Sequence, residues 1–371
     1  MAPPPTPGRP LRIGMLTGGG DCPGLNAVIR GAVRSVVVEH GGEVVGFRDG
    51  WRGVMEDRVE ALTIDRCRGI LPRGGTILGT SRDQPYAREG GVALVEAAVE
   101  RHRLDAIVAI GGDGTMGVTR DLHHDAVPVV GVPKTIDNDI AATEMTFGFQ
   151  TAVQICTFSI DRLHTTAESH DRVLVVEVMG RHVGHIAAWA GIAGGAAITL
   201  VPEEPFDIAE VAERIRQRHR RGSWATIVVV AEGAVPAPGT LEVAAPPVDA
   251  YGHQRLGGIA NVVAAEIEGR TGIETRTTIL GHVQRGGTPV AFDRVLATRF
   301  GIGAVDAVAD GGLGQMVALQ GGAITRVPID DAIGTTKVVG QDLLRVLHTF
   351  EPQLAPGAPG ASAPTPPVSE G

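Results

Sequence analysis

LDAIVAIGGDGTMGVTRDLHHDAVPVVGVPKTIDNDI, residues 104–140, is the stretch that decides the fold. The runs 104–110 and 126–132 are short, apolar and rich in Val and Ile. Each empties into turn residues, so each is expected to be an interior strand of a parallel sheet. Ligands gather outside the carboxyl ends of such strands. There the first turn supplies Gly111, Gly112, Asp113, Gly114 and Thr115, and the second Pro133, Lys134, Thr135, Asp137, Asn138 and Asp139. Amides and hydroxyls hold phosphate; carboxylates hold a divalent cation or take a proton.

A third element of the same design opens the chain. Residues 11–16 form an expected strand that runs into Thr17, Gly18, Gly19, Gly20 and Asp21, then Pro23, Gly24, Leu25 and Asn26. Pro23 suits a first helical turn, and Leu25, Val28, Ile29, Ala32 and Val36 keep a helical apolar spacing. Free amides at a helix start attract anions. Read by itself, the glycine cluster is either a phosphate cradle or a tight turn that packing requires. It is not a Walker loop, since no Gly-Lys-Ser/Thr follows. The spacing and the distal acidic residue of a nicotinamide-binding turn are also missing.

Composition sets the bounds. A chain of 371 residues with 43% hydrophobic side chains can build two domains with cores, and 52 glycines fit many tight strand-to-helix turns. A net charge of −9 with no Lys/Arg run argues against a nucleic-acid surface. Cys22, Cys67 and Cys156 lack metal-ligand spacing, which suits a reducing cytoplasm. Cys22, at the helix start, is either a thiol activated by the helix dipole or an inert small residue. The proline-rich opening is not a signal peptide. The uncharged stretch 186–201, broken by Gly191, Gly194 and Gly195, is too short to span a bilayer, so no membrane partner is expected. It reads as a buried helix followed by a strand. Residues 1–10 and the tail 351–371 are expected to be disordered. Residues 234–251 read as a surface insertion, a lid or a tolerated loop.

The second half repeats the pattern. Residues 146–164 carry Phe149, Val153, Phe158, Ile160 and Leu163 at helical spacing. Residues 172–179 read as a strand running into Gly180, Arg181 and His182. Residues 226–230 read as another, ending at Glu232, and the strand near 276 empties into His282, Arg285 and glycines. Arg172, Arg181, Arg276 and Arg285 all read as strand-end arginines, more than a neutral ligand requires, and their forks suit phosphate. Singly, each is as well explained by a surface ion pair. His282 is either a core histidine or a substrate contact.

Taken in order, GGGDCPGLNAVIRG, GGTILGTSR, GGDGT, PKTIDNDI, VEVMGRHVG and LGHVQRGGTPVAFDRVLA resemble the 6-phosphofructokinase family over residues 12–347. GGDGT alone is shared with NAD kinases and lipid kinases; the ordered set is not. The resemblance implies an α/β fold of two doubly wound, Rossmann-like domains with the active site in the cleft between them. Residues 11–138 plus 284–334 would bind the donor, and 139–283 plus 335–350 fructose 6-phosphate. The activity implied is Mg²⁺-dependent transfer of the terminal phosphoryl group of ATP to the sugar's 1-hydroxyl.

On the same resemblance, Asp137 looks like the general base, with Thr135 and Asp139 beside it. Asp113 resembles the carboxylate that holds Mg²⁺, and Lys134 and Arg181 the charges that neutralise the transferring group. Gly19, Gly20, Arg82, Gly114 and Thr115 match donor-facing positions; Met179, Gly180, Glu232, His282 and Arg285 match contacts to the sugar and its 6-phosphate. Arg172 and Arg276 match arginines that reach a neighbouring subunit's site, which implies a homo-oligomer, dimer or tetramer.

Gly114 and Lys134 bear on the donor in opposite directions. Gly114 leaves room for the α-phosphate and nucleoside of ATP, where pyrophosphate-using relatives carry an aspartate; Lys134 is typical of pyrophosphate users. The combination resembles a mixed actinobacterial subgroup that uses ATP. A steric and charge block is harder to evade than an added cation is to tolerate, so ATP is expected, with pyrophosphate as the alternative. A non-catalytic nucleotide-sensing subunit fits poorly with intact Asp113, Thr135, Asp137, Asp139 and Arg181. Ala197 and residues 221–224 depart from the pattern of regulated members, so weak or absent activation by a nucleoside diphosphate is expected.

Overall fold

The computed structural model describes residues 9–243 and 256–352. They form two units, Met1–Ala152 with His282–Lys337, and Val153–Gly281 with Val338–Gly371. The divisions expected near Asp139, Gln284 and Gly334 thus fall after Ala152, Gly281 and Lys337. The first displacement is the largest, because the chain changes unit inside the helix Phe149–His170 and not in the turn before it. Asp139 and His282 therefore belong to the first unit.

The first unit is built on a sheet whose strands are β1 (Arg12–Thr17), β2 (Glu43–Phe47), β3 (Val59–Leu62), β4 (Ala106–Gly111), β5 (Val129–Thr135), β6 (Phe147–Gly148), β11 (Gln315–Gln320) and β12 (Ala323–Pro328). Their order is β12-β11-β5-β4-β1-β2-β3, with β6 on β5. The centre is parallel, while β3 and β12 close the edges antiparallel. Every residue of β4 is buried, as a strand covered by helices on both faces requires. From β1 the chain winds first to β2 and then back to β4 on the other side, so the crevice at the carboxyl ends of β1 and β4 is the switch point of the sheet.

Two local expectations shift. The first helix is Leu25–Glu39, so Pro23 precedes it. Gly24 makes the entry at φ 115°, where a Cβ would meet the Phe147 ring at 2.6 Å. β5 begins at Val129 and runs through Lys134 and Thr135, because those two residues pair with β6.

The second unit has β7 (Val173–Val178), β8 (Ile198–Leu200), β9 (Thr226–Ala231) and β10 (Thr275–Ile279) in the order β10-β7-β9-β8, all parallel. Val173, Val175, Val228 and Val230 face a core with Ile215 and Val263. The stretch 186–201 is the expected helix (His185–Ala193) followed by β8. In the helix Phe149–His170 the buried stripe is Phe149, Val153, Cys156, Ile160 and Ala167. Phe158 lies off that stripe and is 55% exposed, against the expectation from its spacing.

Residues 1–8, 244–255 and 353–371 lie outside the described residues, and with them most of the two expected disordered ends and the second half of the 234–251 insertion. Two described parts of these segments are anchored. Glu351 is mostly buried and ion-paired with Arg214. Ala234 is in the core and Leu241 packs against it, while Pro236 forms a bridge to Phe206. The insertion therefore starts as packed chain and not as a free loop. Among the described residues no helix is long and apolar enough to cross a membrane.

Candidate active site

In the first unit the three predicted turns meet at the carboxyl edge of the sheet. The Gly18 amide donates to the Ile110 carbonyl at 2.9 Å, tying the turn after β1 to the end of β4. Thr115, buried in the first turn of the helix Asp113–His124, then fills the space between them. A Cβ on Gly18 would lie 2.7 Å from its Oγ1, and one on Gly111 only 2.2 Å away. These glycines are demanded by packing. Gly114 is different, since a Cβ there would meet nothing within 4 Å. Residues 79–82 line the same turn. The Gly19 amide donates to Ser81 and the Thr80 hydroxyl to the Gly19 carbonyl, which leaves Arg82 exposed next to it.

The turn after β5 completes the group. The Lys134 ammonium is buried and donates to the Gly20 carbonyl. Arg285, expected among the sugar contacts, covers Gly20 from another side, so that a Cβ on Gly20 would lie 2.0 Å from its Nη1. Burial lowers the Lys134 pKa; Arg285 adds to the shift, while Cys22 and Asp137 oppose it. Two cations thus share one glycine turn, an arrangement that favours an anion there. Asp137 is buried next to Asn138, and the Asp137 amide donates to Thr135 Oγ1 at 3.0 Å. Asn138 takes φ 55°, and its Oδ1 accepts from the Thr146 amide and the Lys337 ammonium, each at 3.0 Å. Asp113 has its carboxyl pKa raised, first by burial and then by Asp139. Such a pair of carboxylates suits a hard divalent cation.

Several expectations change here. His282 is exposed, which removes the core-histidine reading. Cys22 is buried at the helix entry, and burial pushes its thiol well above the usual range, so the inert reading of this residue stands. All three cysteines are free. Two residues at this site escaped the sequence reading. Lys337 is one; burial lowers its pKa to about 8 against the pull of Asp139 and Glu144. The other is Asp293, fully buried, whose Oδ2 accepts from the Thr151 amide at 2.7 Å and so caps the helix that follows β6. Neither has a local signal, because each acts on residues more than a hundred positions away.

In the second unit, Met179, Gly180 and Arg181 turn at the carboxyl end of β7. Gly180 has φ 143° and Arg181 φ 51°, and the Arg181 amide donates to Glu232 Oε1 at 3.1 Å. Glu232 follows β9, so these four residues lie together. Arg172 and Arg276 do not join them. Arg172 precedes β7, and Arg276 is the second residue of β10, paired in register with Leu174. Both are thus at the opposite, amino edge of the sheet, which corrects the strand-end reading. There one carboxylate holds both, with Arg172 Nε 2.7 Å from Glu274 Oε2 and Arg276 Nη2 2.5 Å from Glu274 Oε1. Six residues of β7 separate them from Arg181, about 20 Å of strand.

Residues 12–308 match the profile of the family described as phosphofructokinase. The chain belongs to the phosphofructokinase family. It is 56% identical over 340 residues to a pyrophosphate–fructose 6-phosphate 1-phosphotransferase of Amycolatopsis methanolica, covering 92% of this chain and 99% of the relative. It is 55% identical over 329 residues to the ATP-dependent 6-phosphofructokinase 3 of Streptomyces coelicolor, covering 89% of this chain and 96% of that one. The solved phosphofructokinase of Saccharomyces cerevisiae matches with a TM-score of 0.76 and 31% identity, over 87% of this chain and 44% of the yeast chain. Membership makes the protein a transferase that phosphorylates a sugar phosphate, and its two α/β units are those of the phosphofructokinase fold. Relatives of nearly equal identity use different phosphoryl donors by name, so likeness leaves the donor open.

Proposed function

We propose that the protein transfers the terminal phosphoryl group of ATP to the 1-hydroxyl of fructose 6-phosphate, yielding fructose 1,6-bisphosphate and ADP. A bond forms between the sugar O1 and the γ-phosphorus, the bond from that phosphorus to the β-bridging oxygen breaks, and the hydroxyl proton passes to Asp137. Thr135 and Asp139 orient the acceptor. Lys134 and Arg181 neutralise charge on a loose transition state that needs alignment more than covalent help. Gly19, Gly20, Arg82, Asp113, Gly114 and Thr115 serve the donor. Met179, Gly180, Glu232, His282 and Arg285 serve the sugar phosphate. The Asp113 carboxyl, crowded by Asp139, fits Mg²⁺, which when bound would draw charge from the donor phosphates.

The observation that carries ATP is the open space at Gly114. This glycine sits in the first turn of a helix, where an added Cβ would meet nothing within 4 Å and a carboxylate would be favoured by the dipole. Packing does not require it, so room for a donor longer than two phosphates supports its presence. Pyrophosphate is the second reading, favoured by the Lys134 ammonium lodged on the donor turn and by the name of the 56% identical relative.

Arg172 and Arg276, on the amino edge of their sheet, support a homo-oligomer in which they enter a neighbouring subunit's sugar site. Three free cysteines suit a reducing cytoplasm. The test is formation of fructose 1,6-bisphosphate by the purified protein with Mg²⁺ and either ATP or pyrophosphate as sole donor. Turnover with ATP alone supports the reading. Turnover with pyrophosphate alone replaces it with the second, and turnover with neither removes both.

A further inference from the structure

The turn that carries Asp137 is held from a distant part of the chain. Asn138 stands in the left-handed region at φ 55°, a conformation that asparagine adopts more readily than other side chains and that its hydrogen bonds here select. Lys337 supplies much of that selection. Its backbone amide donates to the Asp139 carbonyl at 2.9 Å, and Thr336 bridges Ile140 antiparallel. Its ammonium then donates to Asn138 Oδ1 at 3.0 Å, to the Thr143 carbonyl at 2.8 Å and to the Glu144 carbonyl at 3.0 Å. One side chain thereby joins the turn to the loop behind it. Asn138 Oδ1 is the hub, since the Thr146 amide reaches the same atom.

We propose that Lys337 is a positioning residue for phosphoryl transfer, holding the Asp137–Asn138–Asp139 turn so that the Asp137 carboxylate meets the acceptor hydroxyl in line. This rests on the assignment of Asp137 as the base. The effect of Lys337 passes through Asn138, whose Oδ1 accepts from the lysine ammonium. Reacting groups held about 1 Å out of place lose roughly 100-fold in rate, so a lysine that aligns the turn registers in turnover more than in binding.

The experiment is a double-mutant cycle of Lys337→Met and Asp137→Ser in the full-length protein. It is read as kcat and KM for both substrates, below the melting temperature of each variant. Lys337→Met should lower kcat by about 10- to 100-fold with each KM within about 3-fold of the parent. Added to Asp137→Ser, it should lower the rate by less than about 2-fold further, because the group it positions is already gone. An unchanged kcat, or a loss that multiplies in full with that of Asp137→Ser, overturns the proposal. Should Asp137→Ser by itself keep parental turnover, the base assignment falls, and the two failures are thereby told apart. If Lys337→Met does not fold, Lys337→Gln and Lys337→Arg are read by the same criteria.

Discussion

Lys134, near the end of β5, gives its buried ammonium to the carbonyl oxygen of Gly20 in the turn after β1. The cation proposed to bear on donor choice is therefore part of the glycine turn's own scaffold and not a loose arm beside it. Lys134→Met removes that cation and strips the Gly20 carbonyl of its partner. Turnover should fall by roughly 100-fold with whichever donor the enzyme uses, as for loss of one preorganised charge-stabilising group. The melting temperature should hold or rise, since a buried ammonium is costly to desolvate. Initial rates and thermal melts check both halves, and a rate that survives means Lys134 is structural.

Gly114 gives the sharpest separation of fold from function. A Cβ at Gly114 would meet no atom within 4 Å, and Gly114→Asp adds its carboxylate in the first turn of the helix Asp113–His124, so the variant should fold and melt at or slightly above the parent temperature. The ATP rate should nevertheless drop by about 100-fold or more through clash and like-charge repulsion with the α-phosphate. Pyrophosphate kinetics should be spared. Equal loss with both donors would locate the damage in Asp113 and not in donor length.

Asp137→Ser keeps a small polar group and removes the proton acceptor. Its kcat should fall by roughly 100- to 10,000-fold while KM for fructose 6-phosphate stays within about 3-fold. Loss shared equally between kcat and KM would make Asp137 a binding residue.

The proposed entry of Arg172 into a neighbouring subunit's site predicts complementation between subunits. Arg172→Ala and Asp137→Ser, each nearly inactive when pure, should regain activity when unfolded together and reassembled, because a mixed interface contains one site with both residues intact. Activity no higher than the sum of the parents would place Arg172 outside any shared site.

The centre of the first unit's sheet was legible because β4 and most of β1 and β5 are buried apolar runs, and because β1 and β4 run into glycines that Thr115 and Arg285 sterically require. Asp113 and the 133–139 turn were legible for the same local reason. What the sequence hid was long-range. Arg172 opens the run 172–179 and Arg276 stands near the start of β10, so their amino-edge position follows from chain order; what the sequence did not show is the carboxylate of Glu274 that holds both. Nothing local tells that Arg285 folds back over Gly20. Lys337 lies 199 residues from Asn138 in a stretch with no motif of its own.

Lys337 also sets a pH signature. Its pKa falls from 10.5 to about 8 on folding, mainly through burial. Between those values the unfolded chain holds a proton that the folded chain has released. Stability therefore rises with pH across that window and loses this contribution as pH falls through about 8. Lys337→Met has no proton to release and should lack the effect. Melting temperatures of the two proteins, compared at about pH 7.5 and about pH 9.5, should show the parent gaining on the variant at the higher pH. Parallel curves would mean that the ammonium keeps an ordinary pKa, and that its three hydrogen bonds offset the cost of desolvation.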